Sequence, residues 1–225
     1  FPVKKKNSSN YQYISCDATI KEEVEHHLIS SFPESQQIDL LISTVGIPCK
    51  ISCLENFQQF QEDFNVNVFG NIIPIKYCLN RMIKQNNGTI VGICSTSSHH
   101  APKKLDAYAP SKWALDSILS SIKSETKNKK INILYFSPTN IKNIRSKTFQ
   151  FDQGIDSEWV AKNIYKKIIK KRTGSFFIPS YYRFMHLIER LLPRFIDLLL
   201  KSNVPLFKKK HYRNIEIKSA LITGA

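Results

Sequence analysis

Short apolar segments alternate with helical segments along most of this chain. The segments that predict strands are residues 11–16, 39–43, 89–95, 131–136 and 175–178. Apolar residues recur at helical spacing over residues 20–31, 57–85, 109–127 and 157–171. Strands that are apolar on both faces and alternate with helices are typical of a parallel sheet covered on both sides. We therefore predict an α/β fold, a doubly wound parallel sheet with helices on both faces.

One predicted helix, residues 57–85, contains two residues that oppose a regular helix. Gly70 has a flexible backbone, and Pro74 lacks the N–H group that an interior helical position donates. We therefore expect this helix to be broken.

Polar residues and turns stand where several of the predicted strands end. Asp17, Ser43, Ser95 and Pro138 each fall at or just after the carboxyl end of a strand. Because the carboxyl ends of parallel strands meet at one edge of the sheet, where ligands bind, these positions predict one shared crevice.

Tyr108 and Lys112 form the most specific candidate pair for chemistry. They are four residues apart in a predicted helix, so their side chains lie on one face. A neighbouring ammonium favours phenolate, and we expect it to lower the pKa of Tyr108 from about 10. Ser95, at the end of a predicted strand, supplies a hydroxyl that could hold a substrate carbonyl. Together the three residues predict a polariser, an acid and a pKa tuner around one atom.

The excess of positive charge suits an anionic partner. The 225 residues include 33 Lys and Arg against 18 Asp and Glu, for a net charge of +15. A nucleic acid, a phosphorylated cofactor and an acidic membrane surface each suit this charge. The sequence contains no recognisable nucleic-acid-binding motif, so nucleic acid is the least favoured of the three.

The cysteines predict neither a disulfide framework nor a metal site. The count is five, and the spacing follows no framework. Cys49 and Cys53 are close together, but no second pair and no nearby histidine completes a ligand set. We expect a reducing compartment, either the cytoplasm or the cytoplasmic face of a membrane.

Four elements in the expected order resemble the short-chain dehydrogenase/reductase family. Residues 108–112 read Tyr-Ala-Pro-Ser-Lys and match its Tyr-x-x-x-Lys motif, and Ser95 lies at the usual spacing before it. Asn67 stands in a segment similar to the family's Asn-containing helix motif, and Asp17 follows a strand where the family keeps an adenine-contacting Asp. The resemblance covers roughly residues 11–180 and implies a Rossmann-like fold.

The resemblance also implies roles for these residues. Tyr108 would be the general acid in carbonyl reduction or the base in alcohol oxidation, and Ser95 would bind the substrate oxygen. Lys112 would lower the pKa of Tyr108 and hold the ribose of the cofactor, NADP or NAD. Asn67 would kink its helix and anchor a water that relays protons to Lys112. The residues expected to contact the cofactor are Asp17, Ser43, Gly46, Tyr108, Lys112, Thr139 and Asn143.

Three of these cofactor positions depart from the family pattern. Residues 43–46 read Ser-Thr-Val-Gly where Asn-Asn-Ala-Gly is usual, and Thr139 replaces the usual Gly after Pro138. Asn143 stands near the usual Thr that contacts the nicotinamide amide. These changes affect the expected cofactor affinity more than the expected proton transfer.

The family's phosphate-binding glycine loop is not found before Tyr11. Residues 218–225 instead look like the family's first strand and the start of that loop. We therefore divide the chain into a core, 1–180, an amphipathic helix and basic linker, 181–216, and the start of a further strand, 217–225. The last unit is the beginning of a tandem copy, which we favour, a permuted strand, or an apolar tail that resembles the motif by chance. In each case, we expect this chain alone to bind a dinucleotide poorly.

Residues 181–201 carry apolar side chains at helical spacing, interrupted by charges, and basic residues follow. The pattern fits a peripheral membrane contact through residues 181–213. It fits equally a helix that caps the substrate pocket or forms the face of a homodimer.

Taken together, these features predict an NAD(P)-dependent oxidoreductase that interconverts a carbonyl and an alcohol, on a small-molecule substrate that is apolar or lipid-like. The alternative is a catalytically silent relative, a scaffold that binds an anionic membrane surface or, less favoured, a nucleic acid. Replacing Tyr108 by Phe separates the two, since only an enzyme would lose turnover.

Overall fold

The computed structural model describes residues 13–47, 56–99, 107–142 and 154–191. The strands in these ranges are β1 Leu40–Ser43, β2 Gly88–Ile93, β3 Ile131–Pro138 and β4 Gly174–Ile178. The helices are α1 Lys21–Ser31, α2 Phe57–Phe64, α3 Gly70–Gln85, α4 Tyr108–Glu125, α5 Ser157–Ile169 and α6 Tyr182–Leu191. A π-helical turn, Asn65–Phe69, joins α2 to α3, and a 3-10 helix, Thr96–His99, follows β2.

All four strands pair in parallel, in the order β1-β2-β3-β4. Their carboxyl ends therefore meet at one edge of the sheet. We call this edge the carboxyl edge. The parallel sheet predicted from the apolar strands is confirmed.

Helices cover both faces of this sheet. On one face, α3 and α4 contribute Ile75, Met82 and Leu115 to a core that includes Ile90 and Ile133 of the strands. On the other face, α5 packs on the strand side chains that point the opposite way, including those of Val91 and Leu134. The connections β1–α3–β2 and β2–α4–β3 pass over one face of the sheet, whereas β3–α5–β4 passes over the other face. Since all three connections step in the same direction along the sheet, the third has the opposite hand. A left-handed crossover of this kind is rare.

The predicted break in the helix over residues 57–85 takes the form of the π-helical turn. Pro74 does not break the helix, because α3 continues through it to Gln85. One proline removes only the N–H that would reach the Gly70 carbonyl, and the packing of Ile75, Cys78 and Met82 against the sheet holds the rest of α3 in place. Asn86, in the left-handed region at φ 49°, then ends the helix.

The strand predicted over residues 11–16 is not found in its described part, residues 13–16. These residues alternate between exposed and half-buried, and Tyr13 is 66% exposed. Alternating apolar residues form a strand only where a neighbouring strand supplies hydrogen-bond partners. Residues 192–225 lie outside the described ranges, so the interpretation of residues 217–225 stays a prediction. Of the helices in the described ranges, none has the length and apolar character that crossing a membrane requires.

Candidate active site

Ser95 and Tyr108 meet at the carboxyl edge of the sheet. Ser95 follows β2 by two residues and is 7% exposed, and Tyr108 is the first residue of α4. Their side chains lie close enough for the Ser95 hydroxyl to lower the pKa of Tyr108 against the effect of burial. The Ser95 hydroxyl also accepts a hydrogen bond from the Ser97 backbone N–H at 3.1 Å, so the first turn of the 3-10 helix orients it. The two predicted polar groups therefore share one point above the sheet.

Lys112 lies one turn further along α4 and is almost completely buried, at 4% exposure. Its Nζ donates hydrogen bonds to the carbonyls of Val45, at 3.3 Å, and Ile93, at 3.2 Å. The same atom lies 6.0 Å from the centroid of the Tyr108 ring. Gly46 leaves room for the ammonium group, because a Cβ at Gly46 would lie only 2.7 Å from Nζ.

Burial controls the pKa values of this pair and corrects the expectation from sequence. Desolvation raises the pKa of Tyr108, and the Ser95 hydroxyl opposes that rise. The net shift of the Tyr108 pKa is therefore opposite to the one expected from its neighbour Lys112. Burial instead lowers the pKa of Lys112 itself to about 8. Near neutral pH the phenol is therefore protonated and able to donate its proton.

Asn67 occupies the π-helical turn and is fully buried. Its Oδ1 accepts a hydrogen bond from the Ile47 N–H at 2.8 Å, and its Nδ2 donates to the Ile47 carbonyl at 3.2 Å. Nδ2 also donates to the Ser111 hydroxyl at 3.0 Å, and that hydroxyl donates to the Tyr108 carbonyl at 2.8 Å. Asn67 therefore ties the loop after β1 to the first turn of α4, where Tyr108 begins.

Asn71 is a second buried amide at the site, and the sequence analysis missed it. Its Nδ2 donates to the Val45 carbonyl at 2.9 Å and to the Asn67 carbonyl at 2.8 Å. Its Oδ1 accepts a hydrogen bond from the Ser43 hydroxyl at 2.6 Å. The Val45 carbonyl thus receives both Asn71 and Lys112. The sequence does carry a signal for it: Asn71 follows Asn67 by four residues, which places a second asparagine on the apolar face of the predicted helix.

Ser43, which was expected to contact the cofactor, lies at the end of β1 beneath the loop that follows it. The residue is completely buried, and its hydroxyl points at Asn71 inside the protein. Its hydroxyl supports the loop over residues 44–46 through Asn71, and the expected contact with the cofactor stays a prediction.

The other expected cofactor positions lie at the periphery of the site. The exposed Asp17 carboxylate accepts hydrogen bonds from the N–H and the hydroxyl of Thr19, which lower the pKa of the carboxyl. The Thr139 hydroxyl donates to the Tyr182 hydroxyl at 3.2 Å, which connects the end of β3 to α6. Asn143 lies outside the described residues.

The ammonium of Lys112 provides a test of whether a nicotinamide cofactor fits. An ammonium has three N–H donors, and two of them point to the Val45 and Ile93 carbonyls. Among the described residues the third donor has no acceptor, which suits a ribose hydroxyl. No metal-binding group of His, Cys, Asp or Glu occurs in the described part of the chain.

A further titratable group lies below the site, one turn after Lys112 on α4. The Asp116 carboxyl lies beside the thiol of Cys94, the residue before Ser95, and its Oδ2 is buried without a hydrogen-bond partner among the described residues. Burial raises the pKa of Asp116 to about 6, and the thiol opposes the rise. This contact connects the end of β2 to α4 directly beneath Ser95.

The chain is similar to several known proteins. The family model described as short chain dehydrogenase matches residues 3–152. Diacetyl reductase, (S)-acetoin forming, from Staphylococcus epidermidis is 27% identical over 124 residues, which cover 54% of this chain and 48% of the relative. Secoisolariciresinol dehydrogenase from Forsythia intermedia is 27% identical over 160 residues, 70% of this chain and 57% of the relative. The chain thus spans about half the length of the curated relatives it matches.

A solved structure shares the arrangement of strands and helices. The structure of 4-hydroxyisoleucine dehydrogenase complexed with NADH and succinate is similar with a TM-score of 0.60 and 25% sequence identity. The similarity covers 73% of this chain and 77% of that chain.

Proposed function

This chain belongs to the short-chain dehydrogenase family, and from that premise we propose that its site interconverts a carbonyl and an alcohol with a nicotinamide cofactor. The observation that carries the proposal is the convergence of Ser95, Tyr108 and Lys112 at the carboxyl edge of the sheet. Reversible carbonyl reduction requires a group that holds the oxygen and a group that exchanges a proton with it. The Ser95 hydroxyl and the protonated Tyr108 phenol are such groups, and the buried amine of Lys112 lies beside them.

In the reductive direction, the Ser95 hydroxyl and the Tyr108 phenol hydrogen-bond the substrate carbonyl oxygen. A bound nicotinamide supplies the hydride, or accepts it in the reverse reaction. Tyr108 donates its proton to the oxygen as negative charge develops there, and Ser95 stabilises the same oxygen. In the oxidative direction Tyr108 removes the proton of the alcohol.

Lys112 acts on the proton supply in this proposal. With a pKa of about 8, it is close enough to neutrality to lose and regain a proton during turnover. The developing phenolate of Tyr108 is stabilised by the Ser95 hydroxyl and by the ammonium of Lys112, whose nitrogen lies 6.0 Å from the ring centroid. The third N–H of Lys112 would hold the cofactor ribose, and Asn67 would keep the loop over residues 44–47 in place around it.

NAD or NADP is the proposed cofactor. The solved 4-hydroxyisoleucine dehydrogenase is complexed with NADH, which supports a nicotinamide dinucleotide in the same fold. The net charge of +15 leans towards the additional phosphate of NADP.

For the substrate, we propose a small carbonyl or alcohol with an apolar body. The 3-10 helix that follows Ser95 ends at His99, whose ring lies 4.8 Å from the Phe177 ring and 4.4 Å from the His186 ring. These three rings, contributed by the 3-10 helix, β4 and α6, form an aromatic cluster at the end of the helix that follows Ser95. Aromatic surface of this kind suits an apolar group on the substrate. The names of the two relatives, a diacetyl reductase and a secoisolariciresinol dehydrogenase, support carbonyl and alcohol chemistry without fixing substrate size.

The test is to replace Tyr108 by Phe in the full chain and to follow nicotinamide absorbance with a panel of apolar ketones and aldehydes. We expect turnover to fall by about a thousandfold or more, since the proton donor is lost. Tyr165→Phe is the matched control, because Tyr165 is an exposed tyrosine on α5. Equal turnover of the two variants would favour the alternative, a catalytically silent scaffold.

A further inference from the structure

We propose that the outer face of α6 docks on an anionic lipid surface. This face consists of Phe184, Leu187 and Leu191, which we call the α6 stripe. The proposal concerns where the protein resides, and it does not depend on the catalytic chemistry.

The α6 stripe is an apolar surface that the fold leaves open. Phe184 is 65% exposed, Leu187 51% and Leu191 68%, and they are three and four residues apart on one side of the helix. The opposite side already holds α6 to the domain, since the His186 ring contacts His99 and Phe177 and the Tyr182 hydroxyl accepts from Thr139. Packing on this domain uses only the inner side of α6, so it does not account for the apolar side chains on the outer side.

Basic residues accompany the stripe and select an anionic partner. Arg183 on α6 is exposed. The sequence from residue 190 to residue 213 contains seven cationic residues and one acidic residue, Asp197; the cations are Arg190, Arg194, Lys201, Lys208, Lys209, Lys210 and Arg213. Apolar side chains flanked by many cations are characteristic of helices that lie in the interface of an acidic membrane.

The same charges argue against a second copy of the chain as the occupant. In a symmetric dimer through the α6 stripe, each copy would bring the exposed Arg183 to the interface. With a net charge of +15 per chain, that approach is repulsive, whereas an anionic lipid surface attracts it. Nucleic acid also attracts cations, but it offers no apolar layer in which Phe184, Leu187 and Leu191 could be buried.

Docking through α6 would also orient the candidate active site. The helix follows β4 at the carboxyl edge, and the Thr139–Tyr182 hydrogen bond ties its first residue to the end of β3. The edge that carries Ser95 and Tyr108 would therefore lie towards the lipid.

The experiment measures sedimentation of the full chain with vesicles, using phosphatidylcholine alone and a mixture with about one third phosphatidylserine. We expect the wild type to bind the acidic vesicles and to bind the neutral ones at least tenfold less. The triple variant Phe184→Ser, Leu187→Ser, Leu191→Ser should lose about tenfold or more in affinity for the acidic vesicles. The matched control is Ile29→Ser, Tyr165→Ser, Ile169→Ser, three residues of similar exposure on α1 and α5, and it should bind within about threefold of the wild type.

Several outcomes would overturn the proposal. Equal losses in the two triple variants would show that the α6 stripe is not the docking surface, and no loss in either would show that net charge alone binds the vesicles. Dimerisation in light scattering that only the α6 variant abolishes, without vesicle binding by the wild type, would assign the stripe to a second copy. A single substitution, Phe184→Trp, guards against misfolding of the triple variant. Its fluorescence should shift to the blue with acidic vesicles by more than that of the wild type, and an absent shift would contradict docking.

Discussion

The Nζ atom of Lys112 lies 6.0 Å from the centre of the Tyr108 ring; Lys112 is buried and Tyr108 is half-buried. Burial changes their pKa values in opposite senses, raising that of Tyr108 and lowering that of Lys112 to about 8. The phenol therefore holds its proton more firmly near neutral pH, while the amine releases its proton more readily.

Replacing Lys112 by Met should separate activity from stability. Turnover should fall by about a hundredfold or more, since the ammonium near Tyr108 is lost. The melting temperature at pH 7 should not fall, because the wild type buries a charge that Met does not carry. Calorimetry of both proteins at pH 7 measures this directly.

The difference in stability between the wild type and Lys112→Met should depend on pH. The pKa of Lys112 is depressed from 10.5 to about 8 in the folded state, so folding disfavours the protonated form. The wild type should therefore gain stability relative to Lys112→Met as pH rises from about 8 towards 10.5, by up to about 3 kcal/mol. A constant difference across this range would contradict the assigned burial of the ammonium.

Replacing Asp116 by Asn tests the half-buried carboxyl beside Cys94. Its folded-state pKa is raised from 3.8 to about 6, so the charged form is disfavoured and stability is lost as pH rises between these values. The amide keeps an oxygen that can accept from the Cys94 thiol. Asp116→Asn should therefore match the wild type at pH 4 and exceed it by about 1 kcal/mol at pH 7.5, a figure discounted for partial exposure. Urea titrations at the two pH values measure the difference, and a variant less stable at pH 7.5 would contradict the assignment.

Replacing Asn71 by Ala should lower both stability and activity. The change leaves the Ser43 hydroxyl and one lone pair of the Val45 carbonyl unsatisfied in a buried site, at a cost of about 2–4 kcal/mol in the free energy of unfolding. Asn80→Ala, on the exposed side of the same helix, is the control and should change stability by less than about 0.5 kcal/mol. Urea unfolding of both variants measures the difference, and similar values would show that the Asn71 network contributes little.

Replacing Gly46 by Ala should displace Lys112. The added Cβ would lie 2.7 Å from its Nζ and 3.2 Å from Oδ1 of Asn67. The side chains on both sides are held by buried hydrogen bonds, so the loop must shift, and we expect turnover to fall about tenfold or more. Stability should fall by about 1–3 kcal/mol. Wild-type turnover in Gly46→Ala would mean that the ammonium can move without consequence.

Local pattern was sufficient to predict much of this molecule. The apolar runs that became β1, β2, β3 and β4 bury side chains on both faces of the sheet, and that burial is visible in composition alone. The four-residue spacing of Tyr108 and Lys112 likewise follows from helical periodicity. The same kind of pattern was misleading at residues 13–16, which alternate like a strand but pair with no strand in the described part of the chain.

The amino-acid sequence by itself therefore determined the parallel sheet, the helices between its strands and the placement of Tyr108 and Lys112 on one helical face. These depend on hydrophobic spacing within short segments. Only the tertiary structure decided that α5 covers the opposite face, that Asn71 supports Val45 and Ser43, and that burial raises the pKa of Tyr108. The reason is that crossover hand, buried hydrogen bonds and desolvation each depend on atoms brought together from distant segments, which no local pattern records.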